Sequence, residues 1–200
     1  MISVDQEGDA ASMPREMKLY PYTSQWNERY RMIKEELESL MRGHEIQIEH
    51  FGSTSVIDMP SKNIIDVMLI LDDLTIIDAL VHEFMRRSYI AKGENGIPGR
   101  RYFYQLDSDG INHLVHLHCY EKDHPKVLEE LMFRNYLRTN SDAFNRYYNV
   151  KVLAESKHRF DPIGYTNEKG ACIQELMKEA KLYYAHVKHY RELIDISKKG

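Results

Sequence analysis

Ile46-Gln47-Ile48-Glu49-His50-Phe51 alternates apolar and polar side chains and breaks at Gly52-Ser53-Thr54-Ser55. Asn63 to Leu71 then follows as an almost unbroken aliphatic run interrupted by Asp66. Alternation of period two marks a strand covered on one face, whereas a run apolar on both sides marks a strand covered on both. Upstream, Trp26, Tyr30, Ile33, Leu37, Leu40 and Met41 recur at helical steps between a candidate N-cap, Ser24, and a stop at Gly43. Downstream, Ile76 to Tyr89 repeats with helical period through Ile77, Leu80, Val81, Phe84 and Met85. Gly93-Glu94-Asn95-Gly96-Ile97-Pro98-Gly99 is a loop. Two further strands, Arg100 to Leu106 and His113 to Tyr120, are joined by Asp107-Ser108-Asp109-Gly110, a hairpin signal.

From His124 the pattern becomes helical. Pro125 suits a first turn, Val127, Leu128, Leu131, Met132, Tyr136 and Leu137 form a stripe, and helices are expected over Ser141 to Arg159 and Glu168 to about Ile196. Asp161-Pro162-Ile163-Gly164 is read as the break between them. The expected fold class is α+β, an α/β mixed sheet with flanking helices, because a doubly wound parallel sheet needs more strand–helix alternation than is present. The predicted organisation is one compact unit: a tail over 1–17, an α/β core over 18–122 and a helical subdomain over 123–200 packed on it.

Composition limits the function. The 200 residues are 42% hydrophobic with a formal net charge of −4, which excludes a strongly basic protein that grips nucleic acid by phosphate neutralisation alone and predicts no extended nucleic-acid surface. The two cysteines, Cys119 and Cys172, form no CxxC pair, so a disulfide framework or thiolate zinc knuckle is not expected and a reducing, cytoplasmic setting is. The longest wholly apolar run, Val67 to Leu71, falls far short of the ~20 residues a bilayer requires, and Asp5, Glu7 and Asp9 do not read as a signal peptide. No GxSxG elbow, GxxxxGK[ST] loop or GxGxxG turn occurs.

Chemistry is expected around Asp66. A carboxylate in an aliphatic strand is costly without a partner, so it meets a cation, a metal, or the backbone donors of a neighbouring turn. His116 and His118, two apart on a strand, share a face; they hold a divalent ion only with a third ligand, for which Asp66 and Glu49 are the candidates, and otherwise form a wet sheet face. Gly52, Ser53 and Ser55 are either a tight turn or a phosphate cradle, with Lys62 between them and Asp66. Arg100 and Arg101 follow the glycine loop and offer guanidinium forks to an anion, or are solvated. Arg134, Tyr165 and Lys169 lie on or beside the later helices and are candidates for the same cleft.

Taken together, Glu49-His50-Phe51-Gly52-Ser53-Thr54-Ser55-Val56, Lys62-Asn63-Ile64-Ile65-Asp66-Val67, Gly93-Glu94-Asn95-Gly96-Ile97-Pro98-Gly99-Arg100 and His116-Leu117-His118 resemble the GrpB family, over about Lys18 to Lys181. The resemblance implies a fold similar to the nucleotidyltransferases, whose signature is a strand, Gly-Ser, then a strand carrying Asp-x-Asp whose carboxylates hold Mg²⁺. Asp66 matches the first carboxylate, Met68 stands at the second, and His116 or His118 replaces the third. That donor set suits Zn²⁺, Mn²⁺ or Fe²⁺ better than Mg²⁺. Val56 to Asn63 departs from the family, having no glycine and an Asn where Pro is frequent.

The resemblance implies a small-molecule or nucleotide ligand, one divalent ion (Zn²⁺, Mn²⁺ or Mg²⁺) and nucleotidyl or phosphoryl transfer, with Asp66, His116 and His118 as catalytic or metal-binding groups. The alternative is a non-catalytic module for a nucleotide or coenzyme A-like ligand; some family members are fused to dephospho-coenzyme A kinase. A third reading gives Tyr183, Tyr184, Val187, Tyr190, Leu193 and Ile194 either to a partner, including a homodimer through the C-terminal helix, or to packing within the chain.

Overall fold

A computed structural model describes residues 16–197. Seven helices and five strands follow in order: α1 (Gln25–Leu40), β1 (Ile46–Phe51), a single 3-10 turn (Ser53–Ser55), β2 (Ile65–Leu71), α2 (Thr75–Ala79), α3 (Val81–Arg86), β3 (Ile90–Ala91), β4 (Arg100–Leu106), β5 (His113–Glu121), α4 (Pro125–Thr139), α5 (Ser141–Lys157), α6 (Pro162–Tyr183) and α7 (Tyr190–Ser197). The strands form one mixed sheet in the order β1-β2-β5-β4-β3. Only β2 and β5 run parallel; β1, β3 and β4 are added antiparallel.

The aliphatic run is central because it is covered twice. Ile65, Val67, Leu69 and Leu71 on one face and Met68 and Ile70 on the other are each at most 3% exposed. The first face packs with Val115, Leu117, Cys119 and Phe103 against Trp26, Ile33 and Leu37 of α1 and Ile77 and Phe84 of α2 and α3. The second packs Met68, Ile70 and Tyr120 against Leu131, Tyr147, Leu176 and Leu193 from α4 to α7. Helices therefore cover both faces, and the later helices lie on the face that carries Asp66, His116 and His118.

Several local details differ from the sequence pattern. The helical stretch from Ile76 is two short helices broken at Leu80. Ser24 stands at the N-cap position of α1 without a side-chain bond; Thr23 Oγ1 instead accepts from Gln25 N–H. Asp161-Pro162 starts a helix earlier than expected, since Asp161 caps Gly164 N–H and Pro162 occupies the first turn, where its missing N–H costs nothing. The last helical stretch splits into α6 and α7. The tail expected over 1–17 lies outside the described residues except for Glu16 and Met17. Met17 is docked, donating its N–H to Arg159 O at 2.6 Å and packing with Ala154 and Tyr165. The aromatic and aliphatic stripe near the C-terminus is spent inside the chain: Tyr184, Val187, Tyr190, Leu193 and Ile194 are buried in the core and only Tyr183 is exposed.

Because Leu69 is fully buried in the strand between two layers, Leu69→Ala is expected to lower unfolding free energy by about 2–5 kcal/mol with the urea m-value unchanged, as measured by denaturant titration.

Candidate functional site

Parallel pairing of β2 on β5 sets Asp66 opposite His116 and Met68 opposite His118, so the carboxylate and both imidazoles project from neighbouring strands on one face. One ligand atom from each of Asp66, His116 and His118 lies within 4.8 Å of the others. His116 Nδ1 lies 3.2 Å from Asp66 Oδ1, and His116 Nε2 lies 2.8 Å from His113 Nδ1. His113 stacks flat on Tyr104 at a centroid distance of 4.3 Å. With the carboxylate ionised, His116 donates from Nδ1 and a neutral ring accepts at Nε2, so His113 fixes the orientation of its neighbour. His118 packs edge-on to Phe51 and Tyr102, and Arg100 Nη1 stands 3.3 Å from its Nδ1.

The turn after β1 leaves room for this carboxylate. Gly52 has φ +68, and a Cβ built there would fall 2.9 Å from Asp66 Cγ, so no other residue fits. Burial works to raise the Asp66 pKa, yet the hydrogen bond from His116 and, behind it, the neighbouring imidazoles and Lys62 outweigh it, holding the carboxyl below its ordinary range. Burial pulls His118 down to about 3 against the opposing pull of Asp66, so at neutral pH the ring is uncharged.

Beside the trio is a cavity of about 220 Å³ lined by Ser53, Ser61, Lys62, Tyr147, Lys151, Tyr165 and Lys169 as well as Asp66 and His116. Lys62 and Lys169 were legible as candidates; Lys151, Ser61 and Tyr147 were not singled out. The missed signal lies in α5, whose buried positions are Ala143, Tyr147, Lys151 and Ala154, a lysine in register with an otherwise apolar or aromatic stripe. Lys151 Nζ donates to Ser61 Oγ at 3.2 Å, and burial together with the Lys169 and Lys62 charges holds it well below the usual lysine range. Lys169 sits 4.1 Å from the Tyr165 ring and is lowered to about 8, first by burial and then by Lys62. A second cleft, of about 520 Å³ between α4 and α6, shares Gly52, Ser53 and Tyr147 with the first. Glu130 lines it, and burial raises its carboxyl.

Other expected groups are engaged elsewhere. Glu49 is outside the metal-sized group among the described residues because it takes a 2.7 Å ion pair from Arg134, which also donates to His50 O and is itself 3% exposed. Arg134 thus braces α4 on β1, although it also lines the larger cleft. Arg101 points to the opposite sheet face, where its Nε and Nη2 grip Asp78 at 2.6 and 2.8 Å, so it does not join the site. Arg100 is buried with donors to Glu94 O and Asn95 O, closing the glycine loop. The Ser55 hydroxyl donates back to Gly52 O at 2.6 Å.

The family described as GrpB protein matches residues 16–179. The chain belongs to the GrpB family. It is 30% identical over 167 residues to the UPF0157 protein YqkA of Bacillus subtilis, covering 84% of this chain and 48% of YqkA, so the chain spans about half the length of that relative. It is 30% identical over 166 residues to the UPF0157 protein SCO7215 of Streptomyces coelicolor, covering 82% and 84%. The crystal structure of conserved protein GrpB from Enterococcus faecalis superposes with TM-score 0.78 at 32% identity, covering 84% of this chain and 99% of that one. A cytoplasmic RNA terminal U-transferase matches at TM-score 0.50 and 12% identity over 68% of this chain and 43% of its own. That likeness bears on the fold, which is nucleotidyltransferase-like, as is that of the Cid1 poly(U) polymerase at TM-score 0.50 and 11% identity over 69% of this chain and 44% of its own.

His50 supplies a pH test of the packing. It is 6% exposed, stacked on Tyr30 and bonded to Thr54, and burial lowers it from 6.5 to about 3. Its folded pKa is depressed, so the unfolded chain binds the proton first; stability contributed by the neutral ring is complete above pH 6.5 and is lost as pH falls towards 3. Chemical denaturation across this range is expected to show a decline of up to about 1.4 kcal/mol per pH unit from this residue, flattened in His50→Gln.

Proposed function

We propose that the cleft beneath the Gly52 turn performs metal-assisted nucleotidyl or phosphoryl transfer on a small molecule. The observation that carries this reading is the convergence of Asp66, His116 and His118 within 4.8 Å beside Ser53 and a lysine-lined cavity. The residues fit one divalent ion. One carboxylate oxygen and two imidazoles are a borderline donor set suited to Zn²⁺ or Mn²⁺ once His116 exchanges its Asp66 or His113 hydrogen bond for the ion; His118 is kept neutral by burial, and Gly52 leaves the Asp66 carboxylate uncrowded. They do not fit a second ion on β2, since Met68 is fully buried and offers no hard donor. A bound ion polarises a phosphoryl oxygen.

The remaining chemistry belongs to the chain. Ser53, at the open turn, is positioned to bind phosphate, and Lys62 and Lys169 offset its charge. His113 and Asp66 hold the His116 ring between them and so fix its orientation. The ligand class is a phosphorylated small molecule, and the cavities suit a compact ligand.

The absence of a carboxylate at Met68 favours a second reading, a binding module that holds a nucleotide or coenzyme A-like ligand without turnover. Calorimetry and product analysis with ATP, UTP and coenzyme A, with Mn²⁺ or Zn²⁺ and then with EDTA, separate the two. Transfer predicts an ion-dependent product that falls at least about a hundredfold in Asp66→Asn. EDTA-resistant binding with the ligand recovered intact selects the binding module, and no binding under any condition defeats both readings.

A further inference from the structure

We infer that Lys62, Lys151 and Lys169 form a preassembled polyphosphate pocket, supplying with three clustered amines the neutralisation that a second metal ion would otherwise give. The inference rests on the reading of the cleft as a phosphate site and names what that site holds there: a chain of at least two linked phosphates, bound without any metal.

Lys151 carries the argument. It is 2% exposed, its ammonium hydrogen-bonds Ser61 Oγ and lies 5.3 Å from the centre of the Tyr147 ring, and no other hydrogen bond of it occurs among the described residues. Lysine is almost never so buried without a countercharge, because an unpaired buried ammonium costs several kcal/mol. Neither Lys151 nor Lys169 makes an ion pair with a carboxylate among the described residues. Lys169 and Lys62 instead approach the Tyr165 ring from 4.1 and 5.7 Å. Three ammonium groups thus line one cavity of about 220 Å³, and its one carboxylate, Asp66, is already bonded to His116. Lys151 and Lys169, confined with so little countercharge, can be charged there only at a cost, which a multivalent anion seated among the amines removes.

The position fits the same occupant. Asp66 and His116 of the metal-sized trio line the same cavity, so phosphates seated among the lysines lie beside it. Two residues along β2 from Asp66, Met68 is buried and no second carboxylate recruits another ion. The charge that a second ion would bring has its counterpart in Lys151, which reaches across from α5.

Binding has a proton signature. Burial and mutual repulsion hold Lys151 well below the ordinary lysine range and Lys169 at about 8, with Asp66 opposing, and the Lys62, His116, Tyr147 and Tyr165 side chains face the same cavity. A polyanion favours the charged amines, so its binding takes up protons. The experiment is calorimetry of the full chain with pyrophosphate and with tripolyphosphate in EDTA at pH 8, in HEPES and in Tris, whose ionisation enthalpies differ.

Saturable binding with net proton uptake is expected, weakened at least tenfold in Lys151→Met and in Lys169→Gln, with circular dichroism confirming that each variant is folded. Should Lys151→Met not fold, Lys169→Gln and the proton count of the unaltered chain decide. Pyrophosphate binding that is absent in EDTA, insensitive to both substitutions, or equally competed by sulfate overturns the inference. If Mn²⁺-dependent nucleotide binding persists in that case, only this inference fails and the reading of the site stands; if it is also absent, both fail.

Discussion

The parallel pairing of β2 with β5 is the constraint on which the site depends. Its register sets Asp66 beside His116 and Met68 beside His118, and a slip of one residue would send the carboxylate into the aliphatic layer under α1. The register is in turn fixed by burial. Ile65, Val67, Leu69 and Leu71 have to face one helical layer, which leaves the even-numbered positions, Asp66 among them, to face the other. A single polar residue can occupy that second face only because the Gly52 turn stops short of it and because His116 answers its charge.

The helices that cover this face are part of the same arrangement. Arg134 ties α4 to β1 through Glu49 and the carbonyl of His50, and Arg138 donates from the next turn to Ser55 O. The Gly52 turn is therefore held by α4, while the cavities beside it are completed by residues of α5 and α6. Two basic side chains that would read as ligand-binding groups on a surface are here structural braces. Lys151 and Lys169, without carboxylate partners among the described residues, are the ones left facing space.

Much of this was legible in the sequence, for physical reasons that differ by residue. The central strand and the alternating strand before it followed from periodicity, and a carboxylate in an aliphatic run could be expected to meet His116 and His118 because burying it alone is expensive. Alternation also says that Arg100 and Arg101, adjacent on β4, must face opposite sides, but it does not say which layer each side meets. Asp78 on α2 decided that for Arg101. Pattern leaves Ser55 open between a tight turn and a phosphate cradle because it does not give the backbone conformation; the 3-10 turn folds its hydroxyl onto Gly52 O. The break at Leu80 carries no glycine or proline and left no mark in the pattern. Lys151 required the phase of α5 and its packing on the sheet, both tertiary facts.

The cavity beside Asp66 joins parts of the chain that are far apart in sequence: the turn at Ser53, Lys62 before β2, His116 on β5, Lys151 on α5 and Tyr165 with Lys169 on α6. Tyr165 is itself backed by Met17, from ahead of the first helix. Contacts of such separation are the slowest to close as a chain folds, because loop entropy has to be overcome before they form. The chamber exists only where all five of these segments meet, so partial unfolding of any one of them opens it.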